Sequence, residues 1–179
     1  IGYRSLFSST AAYQTAVGTE ALNTASTGNF NTAVGWRASY LISTGTDNTS
    51  VGHGVLYNTT TGSNNIAFGG EALFFNTTGS YNTALGKEAL NNTTTASNNT
   101  AVGYKALYTS TNGPNTAVGS SALSSNSNGY DNTAVGRNSL TANTTGIRNS
   151  AFGDQALDAN TTGNYNTAYG AYSLGANTT

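Results

Sequence analysis

Cysteine and methionine are both absent from the 179 residues. That removes disulfides, thiolate metal sites and the two easily oxidised side chains, and it suits an extracellular setting. Charge is scarce as well: Asp, Glu, Lys and Arg make up 7% of the chain and the formal net charge is -1. The six basic residues (Arg4, Arg37, Lys87, Lys105, Arg137 and Arg148) are scattered and offset by seven acidic ones. No phosphate-tracking stripe results, so nucleic acid is not an expected partner. No apolar run approaches the length of a membrane span, and no signal or transit segment is visible. His53 is the only histidine, and no second ligand-type residue joins it. Asp154 and Asp158 come nearest to a carboxylate pair, for which a solvated surface is the simpler reading. The Gly/Asp nonapeptide of calcium-binding β-rolls is missing. Neither an enzyme nor a cofactor or metal site is expected.

Large aliphatics are also few. Val, Ile, Leu and Phe amount to about 16% of the chain, below the roughly 20% at which disorder becomes a serious reading. Disorder, however, also calls for high net charge, and what the chain does contain is strict order. The phrase Asn-Thr-Ala-Val-Gly returns from end to end, with glycines at Gly18, Gly35, Gly52, Gly69, Gly86, Gly103, Gly119, Gly136, Gly153 and Gly170. The interval is 17 residues throughout, except for 16 between Gly103 and Gly119. Spacing held this well marks a solenoid in which each unit stacks on the last.

Numbered from its Asn, the unit reads Asn-Thr-Ala-Val-Gly-x-x-Ala-Leu-x-x-x-Thr-Thr-Gly-x-x. Position 4 carries Val17, Val34, Val51, Phe68, Leu85, Val102, Val118, Val135, Phe152 and Tyr169; position 9 carries Leu22, Ser39, Leu56, Leu73, Leu90, Leu107, Leu123, Leu140, Leu157 and Leu174. These two apolar columns are the expected core, with Leu41 covering for Ser39. A helix is excluded, since the columns are five apart with a glycine between them and Asn, Thr and Gly are poor helix-interior residues. Each coil is expected to hold one strand over positions 1 to 4, a glycine corner, a second strand near positions 7 to 10, and a Thr-Thr-Gly turn whose glycine needs φ > 0. Parallel stacking at about 4.8 Å makes ten coils a rod on the order of 50 Å long. The position-1 asparagines, Asn31 to Asn166 above Gln14, can hydrogen-bond as an amide ladder. Position 3 is Ala in every coil but one, where it is Ser50. Two large apolar groups per coil make a thin core, so an oligomer is expected, a trimer first, with the Ala stripe as the seam between chains.

Runs such as Asn82-Thr-Ala-Leu-Gly-Lys-Glu-Ala-Leu and Asn99-Thr-Ala-Val-Gly-Tyr-Lys-Ala-Leu-Tyr resemble the 17-residue repeats of phage tail-fibre and bacterial surface fibre proteins. The phrase is also similar to the 14-residue Asn-Ser-Val-Ala-Ile-Gly repeats of trimeric autotransporter adhesin heads. The first resemblance spans essentially the whole chain. It implies an all-β parallel β-solenoid (β-roll) of ten 17-residue coils, left-handed and assembled as a homotrimer, without naming a ligand. The self-cleaving chaperone domain that ends many such fibres is absent, and both ends of the chain stop within a unit. Residues 1–179 are therefore expected to be a single repeat-built domain from a longer fibre.

Aromatic residues gather at variable positions: Phe7, Tyr40, Tyr57, Phe74 and Tyr108 at position 10, and Tyr3, Trp36 and Tyr104 at position 6. Trp36, Tyr40, Tyr57, Phe74 and Phe75 form a candidate strip for stacking on a host-surface glycan or receptor. Packing between protomers, or over the thin core, is the favoured alternative. Asn-x-Ser/Thr triplets occur at Asn48, Asn58, Asn76, Asn91, Asn92, Asn98, Asn143, Asn160 and Asn177, as chance alone produces in such a composition. The Thr columns invite an ice-binding reading, but the adjacent Thr-Thr of positions 13 and 14 cannot form a two-column outward array. The leading expectation is a shaft segment of a trimeric extracellular or virion fibre that presents a receptor-binding tip. A bacterial adhesin or matrix filament that binds glycans through its aromatic strip comes second, and ice binding third.

Overall fold

A computed structural model describes all of the chain, from Ile1 to Thr179. It is an all-β parallel solenoid. Ten strands, one per coil, run from β1 (Thr15–Val17) to β10 (Thr167–Tyr169) and form a single sheet in sequence order. Like residues pair with like: Ala16 with Ala33, Val17 with Val34, Ala84 with Ala101. Backbone bonds run both ways along the axis, Thr32 N–H to the Asn48 carbonyl at 2.8 Å and Gly35 N–H to the Val17 carbonyl at 2.7 Å.

Positions 7 to 10 are not a second strand. They form a turn in which positions 7 and 9 both take the left-handed conformation, as at Glu20 (φ 57°) and Leu22 (φ 49°). The alternation lets Glu20 N–H donate to Tyr3 in one neighbouring coil and Leu22 N–H donate to Ala38 in the other. Left-handed φ is hostile to β-branched side chains. Positions 7, 9 and 17, all left-handed in nearly every coil, accordingly carry no Val, Ile or Thr anywhere in the chain.

Strand alternation sets the inside and the outside. In every strand the residue at position 3 is buried and its two neighbours are half-exposed or exposed. The position-4 side chains expected in the core, Val17, Val34, Val51, Phe68, Leu85, Val102, Val118, Val135 and Phe152, therefore point outwards; Val17 is 43% and Phe68 41% exposed. The Ala stripe expected to meet a neighbouring chain is instead the innermost wall, fully buried from Ala33 to Ala151. The Leu column is core as expected, with Leu107, Leu123, Leu140 and Leu157 at 0% exposure. Position 8, mostly Ala, packs beside it.

Where Ser39 interrupts the Leu column, its hydroxyl meets that of Ser50 at 2.9 Å. The missing volume is filled by Ile42 and Val55, both fully buried, and not by Leu41. The turn glycines of position 15 are required for a different reason from the one expected. Gly28, Gly45 and Gly62 have ordinary φ, but a Cβ on any of them would overlap the carbonyl of the glycine one coil above.

Polar columns complete the interior. At position 1 each asparagine Oδ1 accepts the backbone N–H of the next coil's asparagine, as Asn31 from Asn48 at 3.0 Å and Asn48 from Asn65 at 3.0 Å. In the regular coils Nδ2 reaches a turn carbonyl of its own coil, as Asn65 to Gly79 at 2.9 Å, whereas Asn99 turns back to Ser97 and Asn166 Nδ2 has no partner. A second amide column lies at position 12, where Nδ2 of Asn143 donates to Asn126 (2.8 Å) and Nδ2 of Asn160 donates to Asn143 (3.0 Å). Position 13 adds a hydroxyl ladder, Thr60 to the Thr77 carbonyl (3.2 Å) and Thr77 to the Thr94 carbonyl (3.0 Å).

Candidate functional site

With Asn, Ala and Leu turned inwards, each coil offers the outside three surfaces. The first is the outer face of the sheet, built from position 2 (Thr in eight coils, with Ile66 and Ser150) and position 4. It carries no charge. The position-2 hydroxyls make no hydrogen bond within the chain, unlike those of position 13.

The second surface is charged. Every Asp, Glu, Lys and Arg stands at position 6, 7, 10 or 17, and so flanks the sheet on both sides. Stacking sets opposite charges over one another: Arg37 on Glu20 at 2.6 Å, Lys105 on Glu88 at 3.4 Å, Arg137 on Asp154 at 2.9 Å and Arg148 on Asp131 at 3.5 Å. The hydrogen bond that Arg37 donates to Glu20 raises the guanidinium above its ordinary value, and the bond from Arg148 to the Tyr165 hydroxyl does the same there. Lys105 is raised first by Tyr104 and then by Glu88. These are solvated ladder pairs, screened by water and of little weight in stability. They occupy Asp154, so it makes no pair with Asp158. His53 lies 3.6 Å from Glu71, and no group of three or more His, Cys, Asp or Glu is assembled.

The third surface is the uncharged turn side, positions 11 to 16. Here a shallow groove of about 490 Å³ crosses the coils, lined by Leu41, Asn58, Phe75 and Asn92 on one side and by Thr60, Thr77 and Thr94 on the other.

The structure brings most of the aromatic strip together. Tyr40, Tyr57 and Phe74 stack ring on ring with centroids 5.0 Å apart, and Phe74 meets Phe75 edge-on at 4.8 Å. The stack covers both faces of Tyr57, so its ring has no face to offer a sugar. Phe75, 45% exposed, is the ring that opens onto the groove. Trp36 stands at the charged edge, tied to Tyr40 through the Arg37 guanidinium, which lies 4.6 Å from the indole and 5.3 Å from the phenol ring. Among the Asn-x-Ser/Thr triplets, Asn48, Asn76, Asn143 and Asn160 are fully buried in the amide columns, leaving Asn58, Asn92 and Asn98 as accessible examples.

The groove, the outward Thr-Val face and the position-12 column were all missed in the sequence. One signal could have found the face. Position 3 keeps one size along the chain, whereas position 4 ranges over Val, Leu, Phe and Tyr. A column closed inside a stack tolerates one volume, and an open column tolerates several.

Comparison of the chain with protein-family models, with curated proteins and with solved structures finds no match. No helix is long and apolar enough to cross a membrane.

Proposed function

We propose that the chain is a shaft segment of an extracellular or virion fibre, a homotrimer whose work is mechanical: length, stiffness and resistance to proteolysis. One observation carries the reading. The amide ladder of position 1 runs unbroken from Asn31 to Asn166 through backbone N–H to Oδ1 bonds of 2.9–3.1 Å. Continuous axial bonding in a chain without long loops suits a load-bearing spacer. Sedimentation equilibrium, paired with electron microscopy of the particles, tests it. Rods with a mass three times 18.2 kDa are expected, and a compact monomer that proteases degrade readily would end the reading.

The Phe75 groove favours a second reading, an adhesive filament that holds a neutral glycan on its turn side. An exposed ring, two amides and threonine methyls without any charge are the elements such a ligand uses. Phe75→Ala that loses binding to a neutral-glycan panel while keeping assembly would support it. Equal loss on Tyr57→Ala would point instead to the stacked strip, and binding by neither protein nor variant would remove it.

A further inference from the structure

The outer face of the sheet is a surface to which the shaft reading gives no role. Its two columns hold Thr methyls and hydroxyls at position 2 and aliphatic or aromatic groups at position 4, without one charged residue over ten strands. Ile66 is 45%, Phe68 41% and Tyr169 85% exposed. Charge begins only beyond its edges, at Asp47, Asp131 and Arg148 of position 17 on one side and more densely at positions 6 and 7 on the other. An uncharged centre inside a charged rim is the anatomy of a protein interface.

We propose that this Thr-x-Val face is the seam along which copies of this chain associate. The inference rests on the oligomeric fibre reading and moves its seam from the buried alanines to the sheet exterior.

Size argues for the occupant. Nine steps of about 4.8 Å make the face roughly 43 Å long, and two side-chain columns make it on the order of 12 Å wide. Its area is then on the order of 500 Å² in projection, against about 800 Å² per partner for a stable interface. Only a partner that follows the face over its full length, and engages the flanking columns, reaches that figure. A second copy, with the same rise per coil, does so without strain. Under a three-fold axis along the rod, Phe68 of each chain meets its equivalents at one height, and so does Phe152. The mix of Val, Leu, Phe and Tyr at position 4 also separates this occupant from ice, which would need columns of uniform height.

Two experiments decide it. Val102→Lys with Val118→Lys puts charge at the centre of the face, where both native side chains are half-exposed and the fold has no need of them. Thr78→Lys with Thr95→Lys, on the exposed turn side, is the control. The first pair is expected to reduce the sedimentation mass to 18.2 kDa at micromolar concentration with the circular dichroism unchanged; the control stays assembled. Because the chain has no cysteine, Val102→Cys and Thr95→Cys provide a second measurement in the otherwise native protein. Oxidation should link chains through the first and not the second. An oligomeric wild type whose Val102/Val118 variant stays assembled, or which fails to cross-link through Val102→Cys, overturns the seam and leaves the fibre reading standing. A monomeric wild type overturns both, and one that also slows ice recrystallisation assigns the face to ice.

Discussion

Asn132 and Asn143 share one acceptor: their Nδ2 groups converge on the Gly146 carbonyl at 2.8 and 3.0 Å. The same fork recurs where Asn149 and Asn160 meet at Gly163, at 2.7 and 3.2 Å. Both lone pairs of a turn carbonyl are thus engaged, and the two amide columns are locked to each other through the glycine turn. This explains how a solenoid with one Leu per coil holds its interior polar groups. Most are paired, with Asn76 Oδ1 and Thr93 Oγ1 among the exceptions, and an unpaired group costs about 1–3 kcal/mol.

Asn132 is therefore a sensitive position. Asn132→Ala removes the Oδ1 that accepts the Asn149 backbone N–H at 2.9 Å, and urea denaturation should show a loss of about 1–3 kcal/mol. Asn132→Asp adds a pH dependence with a definite sign. The introduced carboxyl is buried and faces the Gly146 carbonyl, so folding holds its pKa above the unfolded value. Its protonated form can still donate to Gly146. Stability should stay near that of wild type below about pH 4 and fall as the pH rises, by about 2–4 kcal/mol at pH 7. A variant equally stable at both pH values would contradict this.

The inward and outward assignment of the strand predicts a contrast between two aliphatic columns. Leu107→Ala opens a hole in a fully buried column and should cost about 2–5 kcal/mol. Val102→Ala removes a half-exposed group and should cost less than about 1 kcal/mol when measured at a dilution where the chain is monomeric. Similar losses at both sites would return position 4 to the core.

Much of the coil was legible in the sequence for physical reasons. The glycine corner, the Leu column, the Ala column and the amide ladder each need one residue type at one place, so each repeats visibly. What misled was size. Given strand alternation, either positions 1 and 3 or positions 2 and 4 face inwards, and the larger Val, Leu and Phe suggested the second. The interior is in fact so narrow that Ala33 and Asn31 fill it. The second strand was illegible because alternating left-handed residues leave no mark except the absence of β-branched side chains at positions 7 and 9. The groove was illegible because Leu41 and Phe75, at one column position two coils apart, align only once the coil length and its turns are known.

The corner glycines separate two effects that usually arrive together. Gly136 has φ 137°, and a Cβ there would run into the backbone of Gly153; Gly170 has φ 117° and nothing near the same point. Gly170→Ala should lose only the conformational term, about 1–3 kcal/mol. Gly136→Ala should lose distinctly more, or fail to fold, since the collision is with backbone. Equal losses in thermal unfolding would show that stacking distance contributes nothing at this corner.

Ala96 stands where the turn column carries glycine in the regular coils around it, a site for which a 17-residue coil above should leave no room, and it lies directly below the 16-residue coil that runs from Asn99 to Pro114. In the regular coils Nδ2 of the ladder asparagine reaches the turn carbonyl, as Asn82 reaches Ala96 at 2.9 Å; in the short coil Asn99 turns to Ser97 at 3.3 Å instead. The shorter turn has drawn its carbonyl away from the ladder, which leaves space for the Ala96 methyl group. The two irregularities compensate each other, and the compensation should be transferable. Gly45→Ala alone places a Cβ against the Gly62 carbonyl and should destabilise by more than about 2 kcal/mol. Deleting Asn64, the position-17 residue whose counterpart the short coil lacks, should recover a substantial part of that loss in the double variant, although the deletion alone is destabilising. If denaturation instead shows the two losses simply adding, Ala96 owes its place to something other than the coil above it.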